Sequence, residues 1–261
     1  MTIENAPEPV IADRATFETE LAELRLREKA HTKAGDALAA ARRRLPVVEV
    51  DPATPLIGAN GPVPLIDTFE GRQQLITYYF MWYPGRSAAD QCEGCTWNNT
   101  QLDELSYVHS RDITYAVFCQ GPYEESVRYH DFMGWTMPWY SAQQSLDTLL
   151  VGRQAGMMHV VCYLRRGDRV FETYWTSWRG VEAVDINYRL MDLTIFGRQE
   201  PTEDSPEGWP QSQSNTFRTD GRPIAQWSRI HAGRSDDLTG GRSPAPAPVA
   251  ESDSHGCGAC G

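Results

Sequence analysis

No stretch of the chain approaches the ~20 consecutive apolar residues that a membrane-spanning helix requires, so no membrane partner is expected. A basic-then-apolar leader is also missing from Met1-Thr-Ile-Glu-Asn-Ala-Pro7, and the cytoplasm is the expected compartment. Positive charge is short. The 24 Lys and Arg face 35 Asp and Glu, and the net charge of −11 disfavours nucleic acid as a partner. Cysteine is scarce as well: six in 261 residues are too few for a disulfide scaffold, so in a reducing compartment a close pair points to catalysis or metal binding. What is plentiful is core material. Hydrophobic residues make up 41% of the chain, with eight Trp and eleven Tyr, enough for a domain of about 150 residues with sizeable appendages.

Residues 1–12, broken by proline, read as a flexible arm. Asp13 is an N-cap, and Phe17, Leu21 and Leu24 follow at helical spacing. The Ala-rich Asp36–Leu45 continues the pattern until Pro46 stops it, so 13–46 reads as one long helix that breaks, if anywhere, at Gly35. Its apolar stripe is narrow. Such a helix straps a core or meets a partner subunit, which makes a homodimer through the N-terminal helix one expectation. The main domain spans 47–200 and opens with a hairpin of Val47–Val50 and Val63–Ile66 around Gly58–Pro62. The continuous apolar runs 75–83 and 112–120 read as central strands, made parallel by right-handed crossover, and 122–133 reads as a helix. Gly134–Leu150 reads as a loop, and 158–165 with 170–174 as an antiparallel hairpin around Arg166-Gly-Asp168. Gly180–Phe196 reads as a closing helix with Val184, Tyr188, Met191 and Ile195 on one face. The polar segment 201–242 is expected to wrap the surface, pinned by Trp209, Phe217 and Trp227. The tail, 243–261, has too little to bury and is expected to be disordered.

Chemistry concentrates at Cys92-Glu-Gly-Cys95, between the strand ending at Tyr83 and a helix start at Thr96-Trp97-Asn98. At that place the first sulfur meets unpaired backbone N–H groups and the positive end of a helix dipole, which lowers its pKa. Cys92 is therefore the expected nucleophile and Cys95 the resolving thiol of a thiol–disulfide oxidoreductase or thiol peroxidase. No cofactor beyond that redox-active disulfide is required, and the partner is a thiol or disulfide substrate, small molecule or protein. The residues Pro84–Gln91 make a longer entry to the first Cys than thioredoxin has, which favours a small molecule. The alternative is a metal-binding module for zinc or copper. The pair supplies only half a zinc site, and Cys119, ending the second central strand on the same side of the sheet, is either the third ligand or a small buried hydrophobe. Cys162 is a core residue. His159, opening the strand after Met158, is a proton donor or a structural His. Arg179 steadies a thiolate, binds an anionic substrate or stacks on a neighbouring Trp. In the tail, Cys257 and Cys260 form a tethered dithiol that reaches the core pair, or join His255 to hold a soft metal. A redox-inert interaction protein on the same fold is the third reading.

The helix end Ala37-Leu-Ala-Ala-Ala-Arg-Arg-Arg-Leu-Pro46, the stretch Gly71-Arg-Gln-Gln-Leu-Ile-Thr-Tyr-Tyr-Phe-Met81, Cys92-Glu-Gly-Cys95 and Met133-Gly-Trp-Thr-Met-Pro-Trp-Tyr-Ser141 occur together with Arg179-Gly180 and Phe196-Gly-Arg-Gln-Glu200. In these motifs the chain resembles the bacterial thioredoxin-like family catalogued as domain-of-unknown-function 899. The resemblance implies an α/β thioredoxin-like fold, a central mixed sheet flanked by helices, here with a long N-terminal helix and a disordered C-terminal tail. It also implies a redox role whose substrate is undefined, with Trp135 and Pro138 of the matched block lining the site; Trp97, just after the Cys pair, is a further supporting candidate, and the general preference of X–Pro bonds makes Met137–Pro138 trans. The chain departs from the family pattern at Gln143–Leu149, at Cys119 where a small residue such as Ser is usual, and in its Cys-containing tail.

Overall fold

The computed structural model describes residues 6–214 and 216–239. Expectations for residues 1–5 and 243–261, including those for His255, Cys257 and Cys260, lie outside the described residues. The first element, α1 (Arg14–Arg42), starts where Asp13 Oδ1 accepts the Thr16 N–H at 2.8 Å, and it runs through Gly35 without a break. None of its 29 residues is buried. It therefore does not strap the core, and touches the sheet through its C-terminal end, where the Arg42 guanidinium lies 5.0 Å from the Tyr174 ring.

Three short strands follow, β1 (Val48–Val50), β2 (Pro55–Gly58) and β3 (Gly61–Pro64), then the long β4 (Gln74–Phe80). Helices α2 (Glu93–Thr100) and α3 (Ser106–His109) lead to β5 (Ile113–Cys119), and α4 (Tyr123–Met133) leads to β6 (Trp139–Ser141). After α5 (Leu146–Leu149) come the hairpin β7 (His159–Arg166) and β8 (Arg169–Ser177), then α6 (Ile186–Met191), the small pair β9 (Arg218–Thr219) and β10 (Arg222–Pro223), and α7 (Ile224–His231). The main sheet has eight strands in the order β1-β8-β7-β4-β5-β6-β2-β3. β4, β5 and β6 are mutually parallel, and the other pairs are antiparallel. The inner group β8-β7-β4-β5, with its helical crossover from β4 to β5, is the thioredoxin-like fold.

Both central strands read as unbroken apolar runs because both of their faces are covered. Tyr78, Phe80, Val117 and Cys119 face one core, shared with α2 and α4; Leu75, Tyr79, Ala116 and Phe118 face the other. The first core is largely aromatic, with the Phe80 ring 5.3 Å from Trp139, 6.0 Å from Trp135 and 6.0 Å from Tyr129. Each such side chain contributes about 1.5–3 kcal/mol on burial.

Three expectations are corrected. Val48–Val50 and Gly61–Pro64 do not pair with each other: β1 lies against β8 at one edge of the sheet, while β3 pairs with β2 at the opposite edge. Pro55 hid β2 from sequence reading, yet proline is tolerated as the first residue of a strand. Gly134–Leu150 is no simple loop, because Trp139–Ser141 adds a third parallel strand beside β5, too short to show periodicity. Nor is 180–196 one helix. A 3-10 segment covers Trp178–Val184, then Asp185 accepts the Tyr188 N–H at 3.0 Å and starts the short α6, leaving Val184 and Ile195 exposed.

Candidate active site

Where β4 ends, the chain leaves the sheet through residues 81–91 and returns as α2. The fully buried Gln91 shapes that excursion: its amide donates to the carbonyls of Tyr83 (3.0 Å) and Arg86 (3.2 Å) and accepts the Tyr83 N–H (3.1 Å). Cys92 is thereby set at the N-cap of α2, where its Sγ accepts the Cys95 N–H at 3.4 Å. Cys92 is half-buried and its thiol rests 3.8 Å from the Met81 thioether; Cys95 is 1% exposed and accepts the Met81 N–H at 3.4 Å. All four described cysteines are free thiols.

Electrostatics separate the two sulfurs. The Cys95 thiol hydrogen-bonded to Cys92, together with the backbone N–H groups of Cys95 and Gly94, holds the Cys92 pKa below its ordinary value despite burial. Burial, then the bond to Cys92, drives Cys95 well above it, while the Tyr78 hydroxyl hydrogen-bonded to its sulfur opposes only part of the rise. Tyr78 itself stays protonated because burial raises it further. The site thus holds an activated outer thiol over a protonated inner one.

Polar scaffolding fixes this geometry. Thr96 Oγ1 bridges the Cys92 carbonyl (2.8 Å) and the Tyr129 hydroxyl (2.6 Å), and Asn99, held by Tyr115 OH at 2.9 Å, donates to the Cys95 carbonyl at 2.8 Å. The C-terminal extension reaches in as well. Gln226 of α7, wholly buried, donates to Tyr129 OH (2.7 Å) and the Ala88 carbonyl (2.8 Å). Arg218 pairs with Glu93 at 2.8 Å and donates to the carbonyls of Ala89 (2.8 Å) and Gln91 (3.1 Å), and the Phe217 N–H donates to Glu93. Sequence reading missed Tyr78, Gln91, Arg218 and Gln226. The last two lie 97 to 138 residues from these partners, so no local spacing signals them.

Of the residues expected to support the pair, Trp97 is the one that lies next to it, packed at a tilt against Phe217 (4.3 Å) and Tyr188 (5.4 Å) with its indole N–H donating to Asp185. Trp135 stacks on Trp139 at 5.7 Å inside the core. Pro138 accepts the Val117 N–H at 2.9 Å beside β5, and no peptide bond among the described residues is cis. His159 pairs with Tyr79 across β4 and β7, so the pleat places it on the sheet face opposite Tyr78 and the sulfurs. There its Nε2 meets the Gln154 carbonyl at 2.9 Å, and burial lowers its pKa, keeping it neutral. It is not a proton donor to Cys92. Arg179 is 83% exposed and pairs with Glu182 at 3.1 Å, and it touches neither sulfur. Cys119 is fully buried, accepts the Gly121 N–H at 3.4 Å and is pushed up to about 12 by burial. Cys162, expected in the core, is only partly buried, yet desolvation lifts it to about 11. Among the described residues no three His, Cys, Asp or Glu side chains converge to hold a metal, so Cys92, Cys95 and Cys119 do not form a three-sulfur site.

Beside the pair lies a half-open groove of about 510 Å³, bordered by Glu93 and Gly94 of the motif, by Tyr78, and by Trp97, Trp178 and Phe217. No helix among the described residues is long and apolar enough to cross a membrane.

Among solved structures, peroxiredoxin Q of Xanthomonas campestris is similar at 14% identity over 55% of this chain and 96% of that one, with a TM-score of 0.37. The bacterioferritin comigratory protein of the same organism, described for its alkyl peroxide reduction activity, is similar at 14% identity over the same shares, with a TM-score of 0.36. Comparison with curated proteins gives no match. The family model for "Bacterial protein of unknown function (DUF899)" matches residues 6–231, and with most of its length inside that match the chain belongs to this family.

Proposed function

We propose that the protein is a thiol–disulfide oxidoreductase or thiol peroxidase acting on a small molecule, with Cys92 as nucleophile and Cys95 as resolving thiol. The observation that carries this reading is the pairing of a helix-capping sulfur held in its thiolate-favouring environment with a buried, protonated sulfur one helical turn away. With a disulfide, the Cys92 thiolate attacks one sulfur and the other leaves as a thiolate that takes a proton. Cys95 then loses its proton and attacks Cys92 Sγ, releasing the second half of the substrate as a thiol and leaving a Cys92–Cys95 disulfide. With a hydroperoxide, Cys92 becomes a sulfenic acid and an alcohol leaves; Cys95 displaces water to give the same disulfide. In both cases the substrate gains two electrons, and an external dithiol restores the pair.

Thiol counting on purified protein before and after a stoichiometric oxidant, with peptide mass spectrometry, tests the reading. The expected result is one reversible Cys92–Cys95 disulfide and complete loss of reductase and peroxidase turnover in Cys92→Ser. Turnover retained in that variant, or stoichiometric zinc or copper in the reduced protein, would overturn it.

A further inference from the structure

The groove beside the motif is lined by aromatic and aliphatic side chains interleaved with charged ones. The Trp97 indole packs at a tilt against Phe217 and Tyr188, and Trp178, Met158 and Val181 complete its apolar lining. Its lining meets the redox pair at Tyr78, whose hydroxyl bonds Cys95, and at Glu93 and Gly94, the two residues between the cysteines. A volume of about 510 Å³ is in the range of small-molecule sites.

Trp178 is the unusual element. Its φ of 52° lies in the left-handed region, which bulky side chains rarely occupy, and its side chain is 63% exposed, so burial does not compensate the conformational cost. The turn that carries it is closed tightly: a Cβ at Gly180 would stand 1.9 Å from Thr176 Oγ1. The chain therefore accepts strain to hold a large, exposed indole over the groove. The acidic groups along the wall are meanwhile satisfied by partners within the protein. Glu93 pairs with Arg218 at 2.8 Å, Glu182 with Arg179 and Arg198 at 3.1 Å each, and Asp185 accepts from the Trp97 indole. Such a wall offers stacking surface and little pull on an ion.

We propose that this groove is the substrate site of the Cys92–Cys95 pair and that it selects organic disulfides bearing an uncharged, planar aromatic group, with Trp178 as the stacking wall. The assignment rests on the redox reading above. The aromatic body lies between Trp178 and the Trp97 side while Cys92 attacks the nearer sulfur. That step forms the Cys92–S bond, breaks the substrate S–S bond and expels an aryl thiolate, and attack by Cys95 then releases the second aryl thiol.

Two measurements on the full chain test it. The first is the ratio of kcat/KM for dithiodipyridine to that for bis-hydroxyethyl disulfide, with dithiothreitol as reductant. Trp178→Ala should lower this ratio about five-fold, Trp178→Phe should restore most of it, and Trp175→Ala, an exposed Trp on the opposite face, should leave it unchanged. The second uses Cys92→Ser, which cannot react: the inert thioether dipyridyl sulfide should bind it by calorimetry and should bind Cys92→Ser/Trp178→Ala at least about five-fold more weakly. Thioether binding that depends on Trp178, with no disulfide turnover in the parent, would refute the redox reading and keep the groove. Turnover with an unchanged ratio in Trp178→Ala and equal thioether binding would overturn the groove assignment and leave the redox reading standing.

Discussion

Gly121→Ala puts the packing behind the active site to the test. Gly121 follows β5, and a Cβ built on it would stand 2.0 Å from Trp82 Cδ1, 2.3 Å from Cγ and 2.8 Å from Cβ. The indole cannot simply swing aside. It is buried between Phe80 (6.3 Å) and Tyr129 (5.8 Å), so it must shift by about an ångström or more against packed rings to reach ordinary van der Waals separation. Overpacking of this kind costs about 1–3 kcal/mol, and each kcal/mol moves the Tm of a domain this size by about 2–4 °C, so the variant should melt roughly 2–12 °C below the parent. Trp82→Ala alone should cost about 3–5 kcal/mol through the cavity it leaves. In the double variant the alanine enters that space, and the two costs should fall short of additivity by at least about 1 kcal/mol. The assay is thermal unfolding of all four proteins under reducing conditions, with the alkylation rate of Cys92 as a second readout, since Trp82 adjoins Met81, which touches both sulfurs. Equal destabilisation by Gly121→Ala in both backgrounds, or none in the parent, would refute the contact.

Cys92 should be alkylated first, at pH values below the ordinary thiol range, because its neighbours hold its pKa down; labelling of Cys95 or Cys162 ahead of it at neutral pH would reverse the roles. Stability should fall as pH rises from about 9 towards 11, since Cys119 (about 12) and Cys162 (about 11) stay protonated in the fold while the unfolded chain releases those protons; denaturant titrations across that range, repeated with Cys119→Ala, should show a shallower decline in the variant. Arg218→Ala strips Glu93 of its ion pair and leaves the Ala89 and Gln91 carbonyls without their donor, so it should destabilise by about 1–3 kcal/mol and alter Cys92 reactivity, whereas an unchanged alkylation rate would uncouple the extension from the motif. Deleting residues 243–261 should slow re-reduction of the Cys92–Cys95 disulfide, and a Cys95→Ser protein should trap a mixed disulfide of Cys92 with Cys257 or Cys260, detectable by mass spectrometry.

The central strands were legible because a strand buried on both faces shows itself as an uninterrupted apolar run, and the motif was legible because a Cys pair between such a run and a helix start has few other uses. Other features were invisible for stated physical reasons. The face that His159 presents depends on its register with Tyr79, and a shift of one residue would have turned it toward the sulfurs. Trp139–Ser141 is too short to carry a period. Arg218 and Gln226 sit in a polar segment that reads as surface cover, yet their partners are Glu93, Ala89, Gln91, Ala88 and Tyr129, far away in sequence. Only the folded chain brings that segment against the loop that presents Cys92.

The long first helix has a consequence for how the molecule comes apart. Its 29 residues extend roughly 43 Å at about 1.5 Å per residue, and with no side chain buried its amides are protected only by their own ladder of hydrogen bonds. Hydrogen exchange there should proceed by local fraying, at rates indifferent to mutations that shift the global midpoint, while amides of β4 and β5 exchange only when the whole domain opens. A protease should then trim the chain back toward Pro46 and leave a folded remainder, and two thermal phases should replace one in any probe that reports helix content alone.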